Sequence, residues 1–261
     1  MNIEVLGNKG GKKFESITSK MFDKPLTGLW NTIAAHDFDK DGDLDFLVGN
    51  FGLNSQLRAS ESEPLRLVYK DFDNNGSVDP MLTHYIQGVE YPFASRDELL
   101  DQIYAMRPKF TTYKAYADAR LQDIFSASDL KNANVLKATV LESIYLENKA
   151  GKLIAHVLPA QAQFAPIYTI SLADVNHDGN MDFVAAGNQS SIRIRMGVID
   201  ANFGQVFIGD GKGNFEYVRQ PESGLSITGD VKSTKVIQAG GREYLLVGIN
   251  NVGIDCYELK K

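Results

Sequence analysis

Cysteine is almost absent from this chain of 261 residues, in which Cys256 stands alone. An intrachain disulfide is therefore excluded. This does not indicate in which cellular compartment the protein is found, because many proteins outside the cytoplasm lack disulfides. The chain also lacks a long apolar run and a signal peptide, so the sequence predicts no transmembrane segment. Because the first residues, Met1 to Gly11, resemble the middle of a β-hairpin, we expect a fragment that contacts the rest of a longer parent chain.

The usual signatures of enzymes and of nucleic-acid binding are missing as well. The formal net charge is −6, and the acidic residues are concentrated in a few short stretches, which excludes a basic nucleic-acid footprint. The sequence contains no nucleophile elbow, phosphate-binding loop or dinucleotide fingerprint. His36, His84, His156 and His177 are not spaced as zinc ligands, and we predict structural roles for His36 and His177.

What the chain does contain is one acidic pattern, D-x-[DN]-x-[DN]-G-x-x-D, at Asp37–Asp45, Asp71–Asp79 and Asp174–Asp182. Oxygen ligands at places one, three and five, the carbonyl of place seven and the carboxylate of place nine can converge on one hard cation. The glycine at place six allows the sharp turn between them. Because neighbouring carboxylates repel one another without a cation, the pattern predicts metal loops. Calcium suits such a ligand set better than magnesium, which retains several waters.

The acidic pattern has two other interpretations. A plain hairpin turn needs only the glycine and one Asn or Asp, and leaves the aspartate at place nine unexplained in every copy. An EF-hand needs glutamate at place twelve and flanking helices, whereas place twelve is Val48, Leu82 or Ala185. The short apolar flanks have strand character, so each loop is predicted to be the turn of a buried β-hairpin.

Hairpins with Gly, Asn or Lys turns alternate with the acidic ones, which predicts four-stranded antiparallel units. We predict an all-β fold, a single β-propeller domain over residues 1–261 with about four to five blades. In this assembly the first acidic hairpin, 31–50, is a truncated unit, and a second unit joins 65–87 to 139–158. A third unit covers 167–218, and the last, 233–259, lacks acids and metal. The hairpin at 3–17 completes that last unit and closes the ring; the alternative is an open fragment of a larger propeller.

Residues 94–131 interrupt the second unit as a predicted helical insert. Ser95 and Glu98 form a capping box, and apolar residues continue with helical spacing, ending at Pro108, before a second amphipathic helix over 113–125. The insert either packs on the propeller face or rim, or acts as a partner-binding lid, because long inserts in compact β folds often carry function.

Two further features are compatible with a ligand site. The stretch Arg193–Asn202 is either a strand with alternating exposed arginines or part of a binding surface. Trp30 and several tyrosines, Tyr85, Tyr91 and Tyr168, are either buried or form a sugar-stacking surface. The acidic pairs do not predict glycosidase chemistry directly, because a carboxylate bound to a cation is a poor general acid.

The stretch from Phe164 to Phe183, FAPIYTISLADVNHDGNMDF, resembles the FG-GAP / VCBS repeat of integrin-α-type β-propellers. The resemblance implies calcium in each acidic loop, up to three ions, with carbonyl ligands at Asp43, Ser77 and Asn180. The implied metal-binding residues are Asp37, Asp39, Asp41, Asp43, Asp45, Asp71, Asp73, Asn75, Ser77, Asp79, Asp174, Asn176, Asp178, Asn180 and Asp182.

The whole chain is similar to the C-terminal part of secreted VCBS-repeat proteins of Bacteroidetes-type bacteria. This implies a calcium-stabilised module for adhesion or interaction, located extracellularly, in the periplasm or on the outer-membrane surface, that binds a protein or a glycan. The alternative is a carbohydrate-active enzyme or accessory carbohydrate-binding domain with its site on the propeller face near the helical insert. A structural assembly partner is a third hypothesis. No catalytic residue is assigned.

Overall fold

The computed structural model describes residues 1–260, which form mainly antiparallel β-strands with a few short helices. The strands are β1 (Leu6–Lys9), β2 (Lys13–Ser16), β3 (Thr32–His36), β4 (Asp45–Gly49), β5 (Leu65–Lys70), β6 (Asp79–Ile86), β7 (Val89–Pro92), β8 (Asn134–Ala138), β9 (Ile144–Lys149), β10 (Lys152–Val157), β11 (Ile167–Ala173), β12 (Asp182–Gly187), β13 (Gln205–Gly209), β14 (Phe215–Val218), β15 (Val231–Ala239), β16 (Arg242–Ile249) and β17 (Gly253–Leu259). The α-helices are α1 (Thr18–Met21), α2 (Arg96–Gln102), α3 (Tyr113–Tyr116), α4 (Leu121–Ile124), α5 (Ala127–Lys131) and α6 (Gln220–Ser223). Single 3₁₀ turns cover Tyr104–Met106, Ala160–Gln163 and Ile194–Met196. The predicted all-β class is confirmed.

The contacts within the chain divide it into two compact units. The smaller unit comprises residues 57–140 together with Met1, and the larger unit comprises residues 2–56 and the chain from Leu141 onward. In chain order, the smaller unit is therefore inserted into the larger one.

The larger unit contains two sheets with the same strand order. Sheet A has the order β3-β4-β9-β10, and sheet B has the order β11-β12-β13-β14. In each, an acidic hairpin supplies the first two strands and a second hairpin supplies the last two. The corresponding residues Phe46 and Phe183, directly after the acidic loops, pair with Leu146 and Phe207 of the third strand. Sheet B therefore matches the predicted unit at 167–218.

Sheet C consists of three strands in the order β15-β16-β17. Strand β11 of sheet B contacts β3 of sheet A and also β15 of sheet C. Phe38, Leu47, Phe183 and Phe207 belong to the first of three buried clusters among the described residues of this unit. The second cluster joins residues of sheets B and C, among them Val184 and Leu245. The three sheets thus pack in series around β11.

The predicted assembly of the first two units is wrong. The hairpin β9–β10 was expected to complete the unit that begins at residue 65, but it pairs with β4 and completes sheet A. The first unit is therefore not truncated; its two halves are separated in sequence by the whole of residues 57–140. Local turn signals mark each hairpin equally well, and they carry no information on which hairpin pairs with which.

The N-terminal hairpin does not complete sheet C as expected. Strands β1 and β2 form a separate two-stranded sheet, and β17 pairs only with β16 among the described strands. Ile3, Val5 and Met21 instead pack against a cluster that includes Val48 and Ile144 of sheet A. Burial of these apolar side chains favours sheet A, since the strand pairing by itself offers only backbone hydrogen bonds.

The smaller unit has one sheet, sheet D, with the order β7-β6-β5-β8. Its helices bury Leu99, Ile103 and Phe125 against Val68 and Met81 of the sheet. The predicted capping box at the start of α2 is confirmed, because the Ser95 hydroxyl accepts from the Glu98 backbone N–H and the Glu98 carboxylate accepts from the Ser95 N–H.

The second predicted helix, over residues 113–125, is interrupted. It is divided into α3 and α4 because Arg120 adopts an extended conformation. The Asp123 carboxylate accepts a 2.9 Å hydrogen bond from the Arg120 N–H, which starts a new helix at Leu121. This local capping outweighs the continuous apolar spacing that predicted one helix.

Candidate metal centres

The three acidic stretches occupy equivalent turns, as the sequence predicts. Loop 1 (Asp37–Asp45) joins β3 to β4, loop 2 (Asp71–Asp79) joins β5 to β6, and loop 3 (Asp174–Asp182) joins β11 to β12. In each hairpin the aspartate at place nine is the first residue of the second strand and pairs with the residue preceding place one. The prediction that each stretch is a hairpin turn is confirmed.

The carboxylate at place one organises each loop. In loop 1 the Asp37 side chain accepts hydrogen bonds of 3.1 Å from the backbone N–H groups of Asp41 and Gly42. Asp71 and Asp174 accept the equivalent pairs of bonds, between 2.9 and 3.1 Å, from places five and six of their loops. Each carboxylate thus satisfies two N–H groups inside the turn, and its remaining lone pairs can bind a cation.

The backbone of each loop follows one unusual path. Lys40, Asn74 and His177 stand at place four with φ between 57° and 62°, in the left-handed region. Place six is glycine in every loop, with φ between 82° and 98°, where a side chain would be strained. The tight curl brings the oxygen atoms of separate residues to one side of the turn.

The carboxylate at place nine is buried in every loop. The exposed fractions of Asp45, Asp79 and Asp182 are 0%, 2% and 0%. One oxygen of each accepts a hydrogen bond of 2.7 to 3.1 Å from the N–H of place two. A plain hairpin turn needs no buried acid here, so this residue links the loop to the sheet beneath it.

In loops 1 and 3 the third strand of the sheet holds the place-nine carboxylate from the other side. The Asn148 N–H donates to Asp45 and the Gly209 N–H donates to Asp182, both at 2.8 Å. Loop 2 has no equivalent bond within residues 1–260. Sheet D places β7 beyond β6 only from Thr83 onward, so no third strand reaches Asp79.

Two of the loops bring three carboxylates together. Oxygen atoms of Asp37, Asp39 and Asp45 lie within 4.8 Å of one another, and so do those of Asp71, Asp73 and Asp79. These two triads could hold a metal ion, since ligand atoms about 2.3–2.6 Å from one cation lie at such mutual distances.

The electrostatics of loop 1 favour a positive charge at its centre. Burial, assisted by neighbouring aspartates that include Asp41 and Asp45, raises the pKa of Asp39 above its usual value. Burial also raises the pKa of Asp43, with Asp41 the next contributor. The Oδ1 atom of Asp43 is buried without a hydrogen-bond partner in residues 1–260. A divalent cation would relieve this crowding of negative charge, so the residues present fit a bound metal.

Loop 3 contains the same turn with fewer negative charges. Asn176 stands at place three, so the carboxylate triad is replaced by Asp174, Asn176 and Asp182. The side-chain oxygens of Asp174 and Asn176 both accept from the Asp178 N–H at 3.1 Å, as at the equivalent places of loop 1. The Lys40 ammonium of loop 1 donates to the Gly179 carbonyl and, at 2.7 Å, to the Asn180 side chain. Loops 1 and 3 are therefore neighbours.

The remaining ligands of the sequence prediction are not part of the triads. At place five, Asp41, Asn75 and Asp178 use one side-chain oxygen to accept from the N–H of place seven, at 2.7 to 3.0 Å. The second carboxylate oxygens of Asp41 and Asp178, the remaining lone pair of Asn75 Oδ1, and the carbonyls of Asp43, Ser77 and Asn180 stay predicted ligands.

Sequence reasoning missed Tyr145, whose hydroxyl donates a 2.7 Å hydrogen bond to Asp45 Oδ2. Burial and this bond to a carboxylate raise the pKa of Tyr145 far above its usual value. The tyrosine is 100 residues away along the chain. No local pattern indicates the contact, because it depends on the pairing of β4 with β9.

The other candidate residues lie on several different elements, with Tyr85 on β6, Tyr91 on β7 and Tyr168 on β11. The stretch Arg193–Asn202 is a loop with one 3₁₀ turn between β12 and β13, so of its two interpretations the strand is wrong. The Lys232 ammonium lies 3.5 Å from the ring centre of Tyr168. The Trp30 indole N–H is buried without a hydrogen-bond partner in the described chain. His177 is part of loop 3, as predicted.

No protein-family model and no curated protein sequence matches this chain. None of the helices within residues 1–260 is long and apolar enough to cross a membrane.

Proposed function

We propose that this chain is a calcium-stabilised binding module of the β-propeller type, related to FG-GAP / VCBS repeats, and that it acts outside the cytoplasm. The observation that carries the proposal is the hydrogen-bond pattern shared by loops 1, 2 and 3. In each, the carboxylate at place one accepts from places five and six, and the buried carboxylate at place nine accepts from place two. A pattern needed only to form a turn would not repeat a buried acid.

Calcium is the ion that best suits these loops. The side-chain ligands are carboxylate and amide oxygens on a curled backbone, which supports irregular coordination with several protein ligands. Magnesium prefers near-octahedral geometry with several waters, and the loops offer neither cysteine nor a histidine that joins a triad for zinc.

The propeller architecture is supported by the repetition of sheets A and B and by their packing in series with sheet C. The sequences of both repeats place an acidic hairpin before a hairpin with a Gly- or Asn-containing turn. Propellers bury the faces of successive sheets against one another in this manner.

A location outside the cytoplasm suits calcium loops of this kind, in which two carboxylates of each triad are only partly buried. Extracellular calcium modules bind with dissociation constants of about 10⁻⁴–10⁻³ M, and calcium at such concentrations is found outside cells. We place the protein extracellularly, in the periplasm or on the bacterial outer-membrane surface, where it binds a protein or glycan ligand. The metals are then structural, and they hold the hairpins in place.

Thermal unfolding with and without calcium tests the proposal. Purified protein stripped with a chelator should melt at a lower temperature than the same protein in calcium. Calcium at 100 times the dissociation constant adds about 2.7 kcal/mol per site to the free energy of unfolding, which corresponds to several degrees.

The control for this test is magnesium at the same concentration, which should raise the melting temperature much less. A melting temperature that is the same in chelator and in calcium would show that the loops are plain turns and would refute the metal-binding part of the proposal.

A further inference from the structure

A cavity of about 330 Å³ lies within the larger unit, beside loop 1. Its lining comes from β9 and β10 of sheet A, from the turn between β13 and β14 of sheet B, and from Asp39. The volume is at the lower end of the range for small-molecule sites, about 300–1,000 Å³, and suits a ligand of one or two rings.

Part of the cavity lining is aromatic. Tyr145 and Phe215 meet edge to face with their ring centres 5.6 Å apart, and His156 stacks on Tyr145 at 5.8 Å. Leu158 and Pro159 continue the wall. His156 is exposed and Phe215 is half-buried, so these two rings can contact the C–H groups of a partly apolar ligand.

The polar groups of the cavity are held in position by their own partners. The Glu147 carboxylate bonds His156 Nε2 at 2.9 Å and is also paired with Lys149 at 3.4 Å. The hydrogen bond with His156 lowers the pKa of Glu147, so this side chain is a charged acceptor at neutral pH. Because Nε2 of His156 is bonded to Glu147, Nδ1 is the ring nitrogen that this bond does not use.

Another part of the lining is the hydrogen-bonded turn between β13 and β14. The Asp210 side chain accepts from the N–H groups of Lys212 and Asn214 and from the Asn214 side-chain amide. This fixes the backbone on which Lys212 supplies a cationic donor to the lining. A site with preformed acceptors and donors loses little freedom when a ligand binds.

The combination of groups selects a class of ligand. Asp39 and Glu147 place two carboxylates against a single Lys212, which disfavours phosphates and other multiply charged anions. Carboxylate acceptors, an imidazole and an ammonium beside aromatic rings match a neutral ring that carries several hydroxyl groups.

We infer that this cavity is a binding site for a mono- or disaccharide unit of a glycan, and that calcium in loop 1 organises it. The link to calcium is Asp39, which belongs to the carboxylate triad of loop 1 and also lines the cavity. The inference rests on the proposed function, because it takes the glycan as the ligand and calcium as the ion.

The test begins with an array of immobilised oligosaccharides probed with the full chain in calcium buffer. The strongest binder is then titrated calorimetrically against the protein and its variants. We expect Glu147→Gln and Lys212→Ala to weaken binding about tenfold or more, as one lost charged hydrogen bond does. The chelator should abolish binding.

The matched controls are Glu216→Gln and Lys235→Ala, which make the same chemical changes on β14 and β15 outside the cavity lining. They should bind with unchanged affinity. All variants are first checked for the calcium-dependent melting shift of the parent protein, so that a folding defect is recognised separately.

The outcomes separate this inference from the proposed function. A calcium-dependent melting shift without binding to any saccharide on the array would overturn the inference and leave the metal proposal standing. Saccharide binding that survives both cavity variants would place the site elsewhere and would likewise overturn it. Binding that is equally strong in chelator would refute the role assigned to calcium in loop 1.

Discussion

At the scale of single residues, Asp45 shows what the nine-residue pattern predicts and what it omits. Its place in the pattern marks it as a ligand, and its carboxylate is part of the triad with Asp37 and Asp39. Its hydrogen bonds to Tyr145 and Asn148 span 100 and 103 residues. The local pattern therefore predicts the ligand positions, and only the paired sheet reveals what holds them.

Asp45→Asn should destabilise the protein strongly. The carboxylate accepts bonds from Phe38, Tyr145 and Asn148, and an amide would turn an NH₂ group toward one of these donors. Loss of charged, buried hydrogen bonds should lower the free energy of unfolding in calcium by about 3 kcal/mol. Urea denaturation in calcium measures this.

The paired control is Asp43→Asn in the same loop. The contribution of Asp43 to the predicted metal site is its backbone carbonyl, which the substitution retains, so most of the stabilisation by calcium should persist. If Asp43→Asn abolishes that stabilisation while Asp45→Asn has no effect, the assignment of places seven and nine is wrong.

Tyr145→Phe tests the contact that the sequence did not reveal. The ring stays in its buried cluster, and only the hydroxyl that donates to Asp45 is lost. We expect the free energy of unfolding to fall by about 1.5–3 kcal/mol, the contribution of one hydrogen bond to a charged group. Tyr217→Phe is the control, since the described chain shows no hydrogen bond to its hydroxyl, and it should change stability little.

At the scale of elements, each acidic hairpin could be predicted from its own residues, and so could sheet B, whose strands follow one another in the chain, whereas sheet A could not. Asp, Asn and Gly at fixed places mark every acidic turn, and alternating apolar residues mark the strands beside it. Strand β4 pairs with β9, and the inserted residues 57–140 lie between these two strands in the sequence. A local pattern therefore does not predict this pairing. The same limitation explains why β1–β2 was placed with sheet C instead of against sheet A.

Loop 2 should bind calcium more weakly than loop 1. The carboxylate of Asp79 is held by the Phe72 N–H, whereas Asp45 has partners on two further residues. A less constrained ligand loses more freedom on binding, and one charged hydrogen bond fewer corresponds to about tenfold in affinity.

Calcium titration of Asp37→Asn and Asp71→Asn measures this difference between the loops. Asp71→Asn should remove the weaker class of sites and leave the tighter class intact, while Asp37→Asn should reduce the tighter class. The opposite assignment, or a single affinity in the parent protein, would contradict the role given to the third strand.

At the scale of the whole molecule, the insertion of the smaller unit is the feature that the sequence described least well. The helical residues 94–131 were expected as an insert, but the insertion spans 57–140 and includes a complete sheet with its own acidic loop. Sheet D buries Leu99, Ile103 and Phe125 against its own strands. The smaller unit thus has a hydrophobic core that requires no residue of the larger one.

The larger unit should therefore fold after residues 57–140 are replaced by a short Gly/Ser linker. The two ends of the cut are already close, because the Gly52 N–H donates to the Leu141 carbonyl at 2.8 Å and the Asn50 N–H donates to the Ser143 hydroxyl at 3.0 Å. Joining such ends costs little loop entropy, and sheets A, B and C keep all their strands.

The shortened protein should unfold cooperatively, retain a melting shift with calcium, and bind one calcium fewer than the parent chain. Full-length Asp71→Asn is the matched control, because it should lose the same ion while keeping residues 57–140. If the shortened protein is unfolded while Asp71→Asn is folded, sheet A depends on the inserted residues for its stability. If the shortened protein folds and loses only the loop 2 ion, loops 1 and 3 need only sheets A and B. This is the result expected from the bonds that Asn148 and Gly209 donate to the place-nine carboxylates.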